Sequence, residues 1–258
     1  MKARKRSIKP KFLRTDETRN ALDFLKQAHS SIRQTYSEPM AWKWVTISLH
    51  GALYGFAICA SKGTDPSNVT YRRKDKKSPN EKQPFDLDKE KLLSFGDALK
   101  VCQDQNWHRG VMDGKPLVMT PDQQKAVDEL HKRFRNVFEH FIPHSWSIEL
   151  HGFPEISVHV LDVIQFLAID SSTPHLILTT TERRKLKSLV IQSKKLLKRH
   201  PLHLELQQLE SGKAEWWKPK KRKKRNKGLA ELDRILEQDE QQRQQARQPA
   251  DAGKPIAP

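Results

Sequence analysis

Two cysteines, Cys59 and Cys102, are all that this 258-residue chain contains. Both fall in apolar helical patterns, so a disulfide framework is not expected and each reads as a reduced core residue of a cytoplasmic protein. The ten glycines are scattered and form no phosphate-cradling loop, which argues against nucleotide-dependent chemistry. Long apolar runs are also scarce. The basic N-terminus is not followed by one, so no signal peptide is expected. Ala41 to Ala60 alone approaches membrane length. Lys43 and His50 interrupt it and Thr46, Ser48, Gly51 and Gly55 dilute it, so it reads as a buried core helix with no membrane partner. Five histidines (His131, His140, His144, His151 and His159) invite a metal reading. However, no HExxH pair exists, Pro143 breaks the helical spacing between His140 and His144, and structural zinc would want cysteines. No metal and no cofactor is expected.

What the chain has in excess is positive charge. Hydrophobic residues make up 36% and charged residues 31%, a balance that leaves part of the chain unpacked. Of the formal +17, seven charges lie in the arm 1–14 (Lys2, Arg4, Lys5, Arg6, Lys9, Lys11, Arg14). Eight more lie in the block Lys218, Lys220, Lys221, Arg222, Lys223, Lys224, Arg225 and Lys227. The remainder is close to neutral overall. Basicity carried on arms suits sequence-independent attraction to a polyanion.

Between those arms the periodicity is helical. Thr15 or Asp16 caps a helix whose stripe is Ala21, Leu22, Leu25, Ala28 and Ile32. In the next helix, Ala41 to Ala60, apolar residues cover more than one face, and Gly51 and Gly55 permit a neighbouring helix to approach closely. Residues 61–84 read as a long exposed loop, and Asp88 to Gln103 as a helix. Asn106 to Met119 read as a turn-rich connection. Thr120-Pro121-Asp122-Gln123 opens a helix through about Phe141. Residues 146–150 read as a short extended piece, and helices follow over Pro154–Ile169 and Thr181–His200. The expectation is an all-α domain over 15–210 flanked by a basic disordered arm (1–14), a Trp/Lys/Arg-rich linker (211–227) and a charged helix with a disordered tail (228–258).

The chemistry-bearing stretch is Leu130 to Phe141. Leu130, Phe134, Val137, Phe138 and Phe141 recur at three- and four-residue spacing and would line one side of a helix. Arg135, Asn136, Glu139 and His140 fall off that stripe, with Arg135–Glu139 and Asn136–His140 each one turn apart. A guanidinium, an amide, a carboxylate and an imidazole on one rigid support can hold a phosphate and move a proton. A solvated helix end, where histidine suits the dipole, would look the same.

Arg135-Asn136-x3-His140 in an all-α context resembles the HEPN superfamily, whose hallmark is Arg-x4–6-His with a polar residue after the arginine. Asn20 to Leu25 followed by Trp42-Lys43-Trp44-Val45 resembles the opening helices of bacterial HEPN proteins of uncharacterised function. The similarity spans about residues 15–200. It implies an HEPN-like helical bundle with long loops, and a homodimer acting as a metal-independent endoribonuclease in a toxin or phage-defence setting. An antitoxin or inhibitor protein would be a further partner. His140 would then be the general acid or base, Arg135 the phosphate clamp, and Asn136 an orienting group, with RNA supplying its own 2′-OH nucleophile. Some HEPN proteins are inactive, so a non-catalytic module binding nucleic acid or a partner protein is the alternative. Trp216 and Trp217, ahead of Lys218 to Arg225, would stack on bases while the cations hold phosphates. Alternatively, the tryptophans dock the tail onto the domain.

Overall fold

The computed structural model describes residues 11–71, 90–110, 114–139, 147–171 and 178–216, with the side chains of 108–110 left aside. It is all-α apart from one two-residue strand pair. Helix α1 (Glu17–Gln34) starts where Asp16 accepts a hydrogen bond from the Arg19 amide at 2.8 Å, and it buries Ala21, Leu22, Leu25, Ala28 and Ile32. Helix α2 (Ala41–Lys62) is the core. Trp42, Val45, Leu49, Leu53 and Phe56 are essentially inaccessible along it, each contributing on the order of 1.5–3 kcal/mol of burial. It is the one helix among the described residues long and apolar enough to cross a membrane, and 72% of that stretch is buried inside the bundle.

The two glycines of α2 set how close α1 comes. A Cβ on Gly51 would lie 2.7 Å from the Phe24 ring, and one on Gly55 would lie 2.7 Å from the Ala21 Cβ. Any larger residue there would force the helices apart, as the sequence anticipated.

Past α2 the chain forms a single 3-10 turn and strand β1 (Thr70–Tyr71), antiparallel to β2 (Lys91–Leu92) with Thr70 opposite Leu92. Helix α3 therefore begins at Phe95 (Phe95–Gln103), seven residues later than the sequence reading. Leu93 donates its N–H to the Val69 carbonyl, and Ser94 then caps α3 through the Asp97 amide. The supposed turn-rich connection contains helix α4 (Gln105–Gly110), nucleated by Asp104, whose carboxylate accepts from the Asn106 and Trp107 amides.

Helix α5 (Pro121–Asp128) opens with the expected capping box between Thr120 and Gln123. It runs on through a π-helical segment, Glu129–Arg135, into α6 (Asn136–Glu139). Helix α7 (Phe153–Gln165) ends in a second π-helical stretch, Phe166–Asp170. Helix α8 (Thr180–Lys198) has its own capping box, Thr179 with Glu182. Helix α9 (Pro201–Glu210), absent from the sequence reading, follows at once because the His200 imidazole accepts from the Leu202 amide and Pro201 occupies the first helical position. The piece expected to be extended before α7 has no strand partner among its described residues, 147–150.

Aromatic rings tie these helices together. Phe134 of the π-helical segment packs at 4.4 Å on Phe153 of α7, which lies 5.4 Å from Trp42 of α2. His200 closes the group against Trp42 at 5.3 Å. The chain divides into two compact units, 1–214 and 215–258. Of the second unit, Glu215 and Trp216 are among the described residues, and Trp216 is exposed. The arm through Pro10, Trp217, Lys218 to Arg225 and the expected helix at 228–247 lie outside them.

Candidate functional site

The π-helical segment decides where Arg135 points. At α-helical pitch, Arg135 would stand about 140° around the axis from buried Leu130, facing away from the core. The wider i→i+5 turn reduces that to about 50°. Arg135 is accordingly half-buried rather than on an outer face, while Leu130 and Phe134 stay in the core. The apolar stripe read from the sequence holds for Leu130 and Phe134. Val137 and Phe138 are partly exposed, and Phe141 lies outside the described residues.

The guanidinium is held from two sides. Glu139 accepts from Nη2 at 2.6 Å, and the Asn136 side-chain oxygen accepts from Nη1 at 3.2 Å. Asn136 is itself fixed, because its amide nitrogen donates to the Lys132 carbonyl at 3.1 Å. The Arg135 Nε is buried and has no hydrogen-bond partner among the described residues. A buried cationic donor left unsatisfied is costly, and it is the group an incoming anion would satisfy. Glu139, unassigned by the sequence reading, is therefore the carboxylate that occupies the arginine's fork. His140 falls outside the described residues, so the Arg135–His140 geometry is not on display.

Two histidines that the sequence reading did not connect with the site stand beside Arg135. His50 of α2 and His131 of the π-helical segment share a hydrogen bond, Nε2 to Nδ1, at 2.9 Å. Their rings are nearly parallel, and Phe95 at the start of α3 stacks on both, at 4.7 Å and 4.4 Å. Tyr54, one turn along α2 from His50, packs its ring near Phe95 and donates its hydroxyl to the Leu93 carbonyl.

Both imidazoles are biased towards neutrality. Burial pushes the His50 pKa down to about 3, reinforced by His131 and the Arg135 charge. Burial also lowers that of His131, with the Arg135 and Lys132 charges adding to it and Asp128 opposing them. A 2.9 Å contact between two ring nitrogens needs one donor and one acceptor, so the pair stays intact only while at least one ring is neutral. The arrangement pairs a fixed cation with an uncharged proton donor–acceptor couple. The sequence signal that could have found it is the helical spacing of His50 and Tyr54 on α2, together with His131 four residues before Arg135. Read singly, each looked like core or surface.

The other histidines are accounted for differently. His151 bonds Glu149 and Glu205, and His159 lies 4.0 Å from Glu155. Among the described residues no three metal-binding side chains cluster. Among the described residues, one concavity of about 210 Å³ lies between α5 and α7 beside Glu129, Glu155 and His159, and another of about 510 Å³ beside Arg14, Arg19 and Lys185. Neither takes in Arg135 or His131. The cysteines are free and buried; burial pushes the Cys59 thiol up to about 11 and that of Cys102 to about 12.

Comparison with protein-family models, with curated proteins and with solved structures finds no match.

Proposed function

We propose that the chain is a metal-independent endoribonuclease of HEPN type, working as a homodimer on RNA in a toxin or phage-defence setting. One observation supports this best: a half-buried arginine, held by Asn136 and Glu139, whose Nε has no partner among the described residues and which stands beside imidazoles biased towards neutrality. Arg135 would clamp the scissile phosphate and stabilise the charge that builds on its oxygens. His140 would take the proton from the attacking 2′-OH or return one to the departing 5′-oxygen, and Asn136 would orient the clamp. The products would be a 2′,3′-cyclic phosphate and a 5′-hydroxyl.

Incubating the purified full chain with total RNA in EDTA, and mapping the ends, tests the reading. Cleavage with cyclic-phosphate ends is expected, and Arg135→Ala and His140→Ala should each abolish it without changing helical content. Full activity in either variant removes the mechanism.

The second reading, a non-catalytic module that binds nucleic acid or a partner protein, is favoured by the Glu139 carboxylate, which already fills one side of the arginine's fork. Bound RNA recovered intact in the same experiment would select it.

A further inference from the structure

The folded domain is near neutral in total, yet its charge is segregated. Residues 180–199 carry eight cations, among them Lys185 and Lys194, against the single carboxylate of Glu182. Helix α8 buries Leu186, Val190, Ser193 and Leu197 on one side. Arg183, Arg184, Lys187, Lys195, Lys198 and Arg199 are all exposed on the remainder. At 1.5 Å per residue this cationic strip is about 24 Å long.

Two features separate it from an ordinary solvated helix face. Elsewhere in the bundle, several surface cations are neutralised locally at helical spacing: Arg19 with Asp16, Lys26 with Asp23, Lys100 with Asp97, Lys132 with Asp128. On α8 the ion pairs, Arg19–Glu182 and Lys194–Asp162, are made to α1 and α7. Neither these six cations nor Lys185, which is exposed as well, has a carboxylate within ion-pair distance among the described residues. The helix also bears like charges one turn apart at Arg183–Lys187 and Lys195–Arg199, with Arg183 and Arg184 towards the positive end of its dipole. Both arrangements disfavour the helix on its own, and a bound polyanion would relieve both.

We propose that the exposed face of α8 is a rigid, sequence-independent docking surface for the sugar–phosphate backbone of RNA, distinct from the basic arms and from the Arg135 site. That the polyanion is RNA rests on the proposed function; the affinity for a phosphodiester backbone does not. An anionic membrane fits less well. Ile191 is the one large apolar side chain exposed on this face, and the helix's apolar stripe is spent on the core, so nothing is left to insert between lipids.

The test uses the full chain carrying Arg135→Ala, so that cleavage and its failure stay out of the measurement. Binding of a fluorescent 20-nucleotide single-stranded RNA is followed by anisotropy over a potassium chloride series. It is repeated with Arg184→Gln, Lys187→Gln, Lys195→Gln and Lys198→Gln combined. Each neutralised phosphate contact on a single strand should remove about 0.7 from the slope of log K against log salt, so the quadruple change should lower it by roughly three. Affinity at 100 mM salt should fall more than tenfold. The charge-conserving set Arg184→Lys, Lys187→Arg, Lys195→Arg and Lys198→Arg should retain both, which separates charge loss from misfolding. An unchanged slope and affinity in the glutamine set would overturn the proposal and leave binding to the arms. So would lost binding to phosphatidylserine vesicles with RNA binding intact, which would assign the face to lipid.

Discussion

Replacing His50 by phenylalanine should flatten the acid sensitivity of this fold. His50 is 8% exposed and keeps a pKa of about 3, lowered first by burial and then by His131 and Arg135. In the unfolded chain the same imidazole titrates near 6.5. Between those values the unfolded state binds a proton that the folded state refuses, so stability is complete above pH 6.5 and declines as the pH falls towards 3. At about 1.36 kcal/mol per pH unit, His50 alone removes roughly 2 kcal/mol between pH 6.5 and pH 5. His131, His29 and His200 are also lowered by burial and act in the same direction. The depressed carboxylates, Glu17, Asp65, Asp97, Glu149 and Glu182, titrate below this window. Phenylalanine retains the stack on Phe95 and leaves the His131 Nδ1, at the partly exposed end of the pair, to water. Urea unfolding of both proteins at pH 7.5 and pH 5.0, at constant ionic strength, checks the sign and size. The wild type should lose about 2 kcal/mol more than His50→Phe over that interval. Equal losses would show that the buried imidazole is not held neutral and would refute the account of the site's electrostatics.

Three further outcomes follow from packing. Gly55→Ala should destabilise the protein by about 1–2 kcal/mol in the same unfolding assay, because overpacking against the Ala21 backbone outweighs alanine's better helix propensity. Gly96→Ala, which meets nothing within 4 Å, should instead be neutral or gain up to about 1 kcal/mol. Cys59 and Cys102 should resist a thiol reagent at pH 8 in the folded state and react fully in urea, since burial raises both thiols well above their usual range. Prompt labelling of either in the native protein would contradict the packing of α1 and α3 on α2.

Local chemistry was legible wherever it acts through neighbours in the chain. The stripe of α1, the apolar wrap of α2 and the Thr120–Gln123 capping box all follow from residues within a few positions of one another. Such signals act over one or two helical turns, the distance at which sequence patterns determine structure. Boundaries fared worse where a long-range bond competes: α3 starts at Phe95 because Leu93 is drawn to Val69 and Lys91–Leu92 to β1.

Of the candidate site, the sequence by itself determined that a guanidinium and an amide adjoin on one helix, with a histidine following in the chain. Tertiary structure decided the rest. A π-helical segment, invisible to a count at α-helical pitch, turns Arg135 towards the core. Folding then brings His50, from a helix eighty residues earlier, onto His131 and places Phe95 against both. It also decided that the exposed cations of α8 share one face, while Lys194 and Glu182 pair with neighbouring helices. Burial and Coulomb interaction depend on distance in space, and for His50 and Arg135 that distance is made by the packing of α2 on the π-helical segment.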